Sequence, residues 1–296
     1  MYEDKLIEND DVCVESNFTP PTVIRVIPKE KGKLVRGVTT VGDDVFVVRF
    51  VTQQKIEVYN AKTFTLQRHI TVPELGSPFA LVACPYNNCL YAPDNSKDSV
   101  HRVELSGSNA VIRWPVAHHP AGLSVNDEQD VLVVSAHELK LQIFTTHGTL
   151  LQNIELQGDI KYPSHAIQLP TGQFLVSYSS LSDLHCVSLV GSDGAVVRSY
   201  GGQKGSELNQ MDCPAGLSVD REGRVLVADR FNNRLLVIDD ESLSTAHKMS
   251  VNVDDGLQGP YSLWFDQSCR RLCIGEWRGG RVIVIDNLQD FRVSEV

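Results

Sequence analysis

Between Cys213 and Asp240 the chain reads "CPAGLSVDREGRVLVADRFNNRLLVIDD". Apolar and polar residues alternate in the runs "GLSVD", "RVLVAD" and "RLLVID", and the breaks between them carry Gly223 and the pair Asn232 and Asn233. Alternation of period two bounded by turn residues marks adjacent antiparallel strands. Asp220 is placed to hold the amides of a tight turn while Gly223 takes the positive φ that the turn needs. One asparagine can adopt the left-handed conformation in the second turn, where Asp229 and Arg234 are spaced to pair. Two aspartates would also suit a carboxylate active site. The rest of the chain favours hairpins, because equivalents recur without any partner nucleophile.

Anchored on Pro214, comparable units begin at Val35, Pro78, Pro120, Pro163 and Pro260, in steps of 43, 42, 43, 51 and 46 residues. Each has three alternating runs followed by a fourth, such as "AHKMSV", and helical periodicity is nearly absent. A period of roughly 40 to 50 residues with this content indicates propeller blades. The expected fold is all-β, a six-bladed β-propeller of four-stranded antiparallel blades. The outer runs "AVIRWP" at Ala110 and "AVVRSY" at Ala195 have a counterpart in "TVIRVI" at Thr22, ahead of any blade. Thr22 to Ile27 is therefore expected to close the ring as the outermost strand of the sixth blade, with Phe291 to Glu295 as the rival for that place. Closure leaves only short, protected edges.

The 296 residues carry a net charge of −10. Within residues 1–20, Glu3, Asp4, Glu8, Asp10, Asp11 and Glu15 face only Lys5, so half of that charge lies in an acidic tail expected to be disordered. Residues 21–296 are assigned to the propeller. The acidity opposes non-specific binding of nucleic acid. No run of about 18 apolar residues occurs and the first residues lack the pattern of a signal peptide, which points to a cytoplasmic, monomeric protein away from membranes. The seven cysteines include no C-x-x-C pair, so neither a disulfide framework nor a thiolate zinc site is signalled. Cys84 with Cys89, and Cys269 with Cys273, flank single turns and read as small buried hydrophobes.

The unit P-x-G-L-x-V-D-x-x-G-x-x-x-V-A-D-x-x-N-x-R from Pro214 to Arg234 resembles the NHL repeat. The likeness is looser from Pro120 and Pro260 and faint in the other three units. It implies a propeller similar to those ending the tripartite-motif proteins, where the ring captures a protein or RNA target for an N-terminal ubiquitin-ligase module. RING, B-box and coiled-coil patterns are missing from this chain, so a role in ubiquitin-ligase regulation is expected only as the substrate-recognition part. Related six-bladed rings include metal-dependent lactonases and amidating lyases, which hold metal ligands at the channel mouth. The matching positions are taken as Gly37, Phe79, Gly122, His165, Gly216 and Tyr261, which offer one ligand and no carboxylate, whereas zinc usually takes three protein ligands and calcium six or more oxygens. No catalytic residue, metal or cofactor is expected. His118 and His119 read as loop residues lacking a third ligand, and "GGQKG" at Gly201 lacks the setting of a phosphate loop.

In a propeller, the loops joining second to third strands share one face with the loops joining blade to blade. There the fifth unit presents Arg230 and Phe231 and its neighbour presents Trp277 and Arg278, with Arg49, Lys55, Lys97 and Tyr178 expected to extend the patch. Arginine and aromatic residues are enriched in binding hot spots. The combination suits an acidic or extended peptide, and also single-stranded RNA. The overall acidity favours the peptide. The expected function is a non-enzymatic scaffold that captures a protein or peptide; the alternatives are an RNA-binding propeller and a metal-dependent lactonase or lyase.

Overall fold

The structure, a computed structural model, describes residues 23–28, 34–50, 54–107, 109–180, 184–239, 242–286 and 288. Its strands form six four-stranded antiparallel sheets. The chain enters with β1 (Val23–Ile27) and then lays down the first blade as β2 (Val35–Val41), β3 (Asp44–Arg49), β4 (Lys55–Asn60) and β5 (Leu66–Thr71). The second blade is β6 (Val82–Cys84), β7 (Cys89–Asp94), β8 (Ser99–Glu104) and β9 (Val111–Pro115); the third is β10 (Pro120–Val125), β11 (Val131–Ser135), β12 (Lys140–Phe144) and β13 (Leu150–Glu155). The fourth is β14 (Pro163–Gln168), β15 (Phe174–Ser179), β16 (Leu184–Val190) and β17 (Val196–Gln203), and the fifth is β18 (Pro214–Val219), β19 (Val225–Asp229), β20 (Arg234–Ile238) and β21 (Ala246–Met249). β22 (Pro260–Asp266), β23 (Arg271–Glu276) and β24 (Val282–Ile285) complete three strands of the sixth.

The fourth strand of that blade is β1, which pairs antiparallel with β24 in the register Arg25 to Val284, Val26 to Ile283 and Ile27 to Val282. The repeated "VIR" pattern thus identifies an outer strand even though it stands at the front of the chain. The rival, Phe291 to Glu295, lies outside the described residues, as does the acidic segment 1–20.

The core is not a central kernel. It consists of six apolar clusters, each lying between neighbouring blades, from Phe46 against Leu90 to Leu226 against Leu263. The middle strands are consequently covered on both faces: all of β11 and all of β19 are buried, whereas β5 and β13 are mostly exposed. Near-continuous apolar runs such as "VLVV" follow from this two-sided burial, and strict alternation does not hold in the middle strands. The closing interface is made like the others, with fully buried Ile27 of β1 packed among Val35, Val45, Cys273 and Val284.

Around the axis the innermost strands approach until side chains no longer fit between them. A Cβ on Gly37 would stand 2.3 Å from Leu81 N, on Gly122 2.4 Å from Ser164 O, and on Gly216 2.5 Å from Tyr261 O. These glycines sit in blades one, three and five, and the corresponding residues between them are Ala80, His165 and Ser262.

Deleting residues through Pro28 should remove the β1 ladder and the Ile27 contacts, costing several kcal/mol at about 1 kcal/mol per net hydrogen bond plus the lost apolar burial. Deleting only residues 1–17 should leave the melting temperature within about 1 °C of the full chain, in keeping with surface changes that scarcely alter stability. Equal melting temperatures for the two truncations would contradict closure by β1.

Candidate functional site

The face carrying the second-to-third-strand turns is set by buried carboxylates. At the end of β19, Asp229 is completely buried. Its oxygens accept bonds from Asp212 N at 2.7 Å, Asn232 Nδ2 at 2.8 Å and Arg234 Nε at 2.7 Å. Arg234 in turn donates to the carbonyls of Ser206, Glu207 and Gln210, so the pair grips the segment arriving from the fourth blade. Glu276 and Arg281 repeat the device: Glu276 accepts from Gln258 N at 2.8 Å and Arg281 donates to the carbonyls of Asp254 and Gly256. Asp94 holds Gly76 N and Ser77 N in the same way. Asn233 takes the left-handed φ of 52°, and Asp220 holds the Glu222 and Arg224 amides across the Gly223 turn, so the paired aspartates of the motif are structural.

These clamps bring Arg230, Phe231, Trp277 and Arg278 together. The Arg230 guanidinium carbon lies 4.3 Å from the centre of the Phe231 ring and 4.9 Å from that of Trp277, and Arg278 lies 5.2 Å from Phe231. Phe231 is exposed at 38%, Arg278 is exposed, and Arg230 and Trp277 are half-buried. A residue outside the expected patch completes it. Arg36 of β2, only 5% exposed, lies 3.7 Å from the Trp277 ring centre, 4.1 Å from Phe79, 4.8 Å from Phe50 and 5.6 Å from Tyr261. Burial, reinforced by the nearby charge of Arg230, pulls the Arg36 pKa down from the usual arginine range.

Arg36, Phe79 and Tyr261, with Ala121 and Ala215 at the same level, form part of the wall of a central channel of about 380 Å³, lined further along the strands by Leu123, Leu217 and Leu263. Trp264 lines both this channel and a second cavity of about 400 Å³ at the opposite end, near Gly42 and Gln129. Its indole donates to Thr40 Oγ1 at 2.8 Å, and its ring packs against core clusters of blades one, two, three and six.

The profile of the NHL repeat matches residues 211–238, the stretch that holds the Asp229 and Arg234 clamp. The chain is a six-bladed β-propeller that carries an NHL repeat in its fifth blade. The protein brain tumor of Drosophila melanogaster is 24% identical over 138 residues, which is 45% of this chain and only 12% of that protein. Among solved structures, a catalytically inactive virginiamycin B lyase from Staphylococcus aureus with quinupristin superposes with a TM-score of 0.60 at 13% identity, covering 83% of this chain and 78% of that one. YCF48 bound to D1 peptide gives a TM-score of 0.59 at 13% identity over 89% and 80% of the two chains. Identities this low show the fold alone.

Two residues expected on the binding face of this propeller lie elsewhere. Arg49 is fully buried, donating to Glu57 at 2.8 Å and to the Gly280 carbonyl at 2.6 Å, and so braces blade one against blade six. Tyr178 is buried with its hydroxyl accepting from Ser188 Oγ at 3.3 Å, and burial pushes its pKa up to about 12. Lys97 pairs with Glu74, and Lys55 is exposed. The missed residue, Arg36, stands beside Gly37, which was assigned to the mouth. Counting one place after each anchor gives Arg36, Phe79, Ala121, Ser164, Ala215 and Tyr261, whereas the expected set mixed this register with the next. His137 was also missed: it stacks on His119 at 4.0 Å and lies 5.6 Å from His118.

His165, the one ligand expected at the mouth, uses both ring nitrogens between blades. In the tautomer these contacts fit, Nε2 donates to Leu123 O at 2.9 Å and Nδ1 accepts from Leu217 N at 3.4 Å. Burial lowers its pKa from 6.5 to about 4. The folded value lies below the unfolded one, so in that window the unfolded chain binds a proton that the folded chain refuses. His165 therefore contributes stability that is present above pH 6.5 and lost as the pH falls toward 4, about 3 kcal/mol when complete. Denaturant unfolding at pH 7 and pH 4.5 should show His165→Gln losing clearly less stability on acidification than the parent.

Proposed function

We propose that this NHL propeller is a non-enzymatic, cytoplasmic binding module that captures a protein or peptide partner on the channel-mouth face. The observation that carries the reading is the cluster of Arg36, Arg230, Phe231, Trp277 and Arg278, in which cations lie against aromatic rings at an open rim. Such rims supply hot-spot contacts: rings give area at little entropic cost and guanidinium groups give directed hydrogen bonds. The positive rim contrasts with the net charge of −10 and would steer an anionic segment to one face. Support from a neighbour is limited to fold: YCF48, with a similar ring, is described as bound to a peptide.

A role as the substrate-recognition part of a ubiquitin ligase is an extension of the resemblance to tripartite-motif propellers. Single-stranded RNA is the second reading, favoured by the same arginine and aromatic pairing but opposed by the acidity of the chain. A lyase reading draws on the virginiamycin B lyase fold. Against it, His165 is spent on backbone partners, and among the described residues no three acidic, histidine or cysteine side chains are grouped to hold a metal.

Phe231→Ala should shift stability by no more than about 0.5 kcal/mol and weaken partner binding by about 2 kcal/mol or more. Trp277→Ala, at a half-buried ring, should cost more stability yet less than the roughly 3 to 5 kcal/mol of a fully buried aromatic. Melting and affinity are to be measured on the same proteins, with a partner recovered by pull-down with and without nuclease. Loss of capture after nuclease would favour RNA, and unchanged affinity in Phe231→Ala would remove the rim from the partner interface.

A further inference from the structure

The buried and half-buried arginines of the described residues divide into two groups. Arg49, Arg102, Arg224, Arg234, Arg270, Arg271 and Arg281 each face a carboxylate at ion-pair distance: Glu57, Glu104, Asp220, Asp229, Glu222, Asp286 and Glu276 respectively. Arg36 and Arg230 have no such partner among the described residues, and neither has the exposed Arg278. For an exposed side chain such as Arg278 this carries no meaning. Arg36, however, is only 5% exposed, and its Nε is buried with no hydrogen-bond acceptor. Arg230 Nε is in the same condition, and its Nη2 is left with only the sulfur of Cys213 at 2.8 Å.

Burying a guanidinium without a counter-charge is costly, which is why the other buried arginines are paired. The rings around Arg36 offset part of that cost through cation–π attraction. They do not replace the acceptors a guanidinium needs in its own plane. The Tyr261 hydroxyl supports the Arg36 charge, whereas burial and the nearby charge of Arg230 act against it. Arg36 and Arg230 both lie within 6 Å of the Tyr261 and Trp277 rings, at 5.6 and 3.7 Å for the one and 5.7 and 4.9 Å for the other. They therefore converge on one spot at the rim, and Arg36 is part of the wall of the channel below it.

We infer that this spot is a receptor for a single carboxylate, which a bound peptide inserts at the channel mouth between Arg36 and Arg230. The inference rests on the reading of the rim as a peptide-binding face and names the group that the face recognises. A carboxylate supplies two oxygens for the unsatisfied guanidinium edges and cancels a charge that the fold leaves uncompensated. Below it the channel walls of Leu123, Leu217 and Leu263 accept an apolar neighbour rather than a second anion. This favours a peptide over RNA, whose phosphates repeat at every nucleotide. The carboxylate belongs either to an acidic side chain or to the end of a chain, and the two sources are separable.

Calorimetric titration at low salt would use acetyl-Ala-Ala-Glu-Ala-Leu-amide, its Gln counterpart as the amide, and that Gln peptide with a free terminal carboxylate, with oligouridylate as the RNA probe. At least one carboxylate peptide should bind tenfold or more tightly than the neutral one, and which of them does so identifies the source. Arg36→Met and Arg230→Met should each abolish the preference. Arg36→Met should also melt no lower than the parent, because it removes an unpaired buried charge; a drop of several degrees would mean that Arg36 serves the fold through its ring contacts and would overturn the inference. Equal binding of charged and neutral peptides, no binding of any peptide, tight binding of oligouridylate alone, or a preference that survives Arg36→Met would overturn it too. In any of those cases the rim remains the partner face if Phe231→Ala still releases the partner, and both readings fall if it does not.

Discussion

The buried carboxylate at the end of a second strand organises the functional face. Asp229 and Glu276 accept from the backbone of an arriving linker while their arginine partners hold that linker's carbonyls. A charge buried in this way is tolerable only when its lone pairs are filled, and each filled lone pair fixes a piece of loop. The loops would otherwise be the least determined parts of an all-β ring. Phe231 and Trp277 can therefore stand at a rim of defined shape, because the residues just before them are anchored on both sides.

The second constraint is crowding at the axis. Glycine alternates around the ring at Gly37, Gly122 and Gly216 because each meets the backbone of the next blade closer than any side chain would allow. Apolar burial then happens between blades rather than within them, so no blade completes a core alone. Stability in such a repeat is a sum over neighbours, and the sum reaches its full value only when the last interface forms. β1 forms that interface, with Ile27 filling it, and Arg49 adds a polar brace from blade one to Gly280 of blade six.

Much of this was legible in the residues, and the failures share a cause. Blade number and closure came from patterns spanning dozens of residues, such as "TVIRVI" against "AVIRWP", which survive an error of one place. The Asp229 turn was legible because its chemistry is local. Side-chain direction at the strand ends was not. Five of the six inner strands begin with a bulge, as between Val35 and Gly37 or Pro260 and Ser262, so alternation cannot be extrapolated through it. Arg36 was passed over for Gly37 on that account. Position in their units points Arg49 and Tyr178 outward, yet they lie at the ends of β3 and β15, where the preceding blade covers the face they point to. His137 joins His119 only through pairing across blade three, which adjacency in sequence does not record.

Trp264 makes one side chain answer to three interfaces. Its indole donates to Thr40 across the seam where blade six meets blade one, and its ring packs on the clusters between blades six and one, one and two, and two and three. The same ring lines the channel and the cavity near Gly42. Groups that share a partner are coupled, so a loosening at the seam closed by β1 is felt in the channel wall as well as at the edge of the sheet.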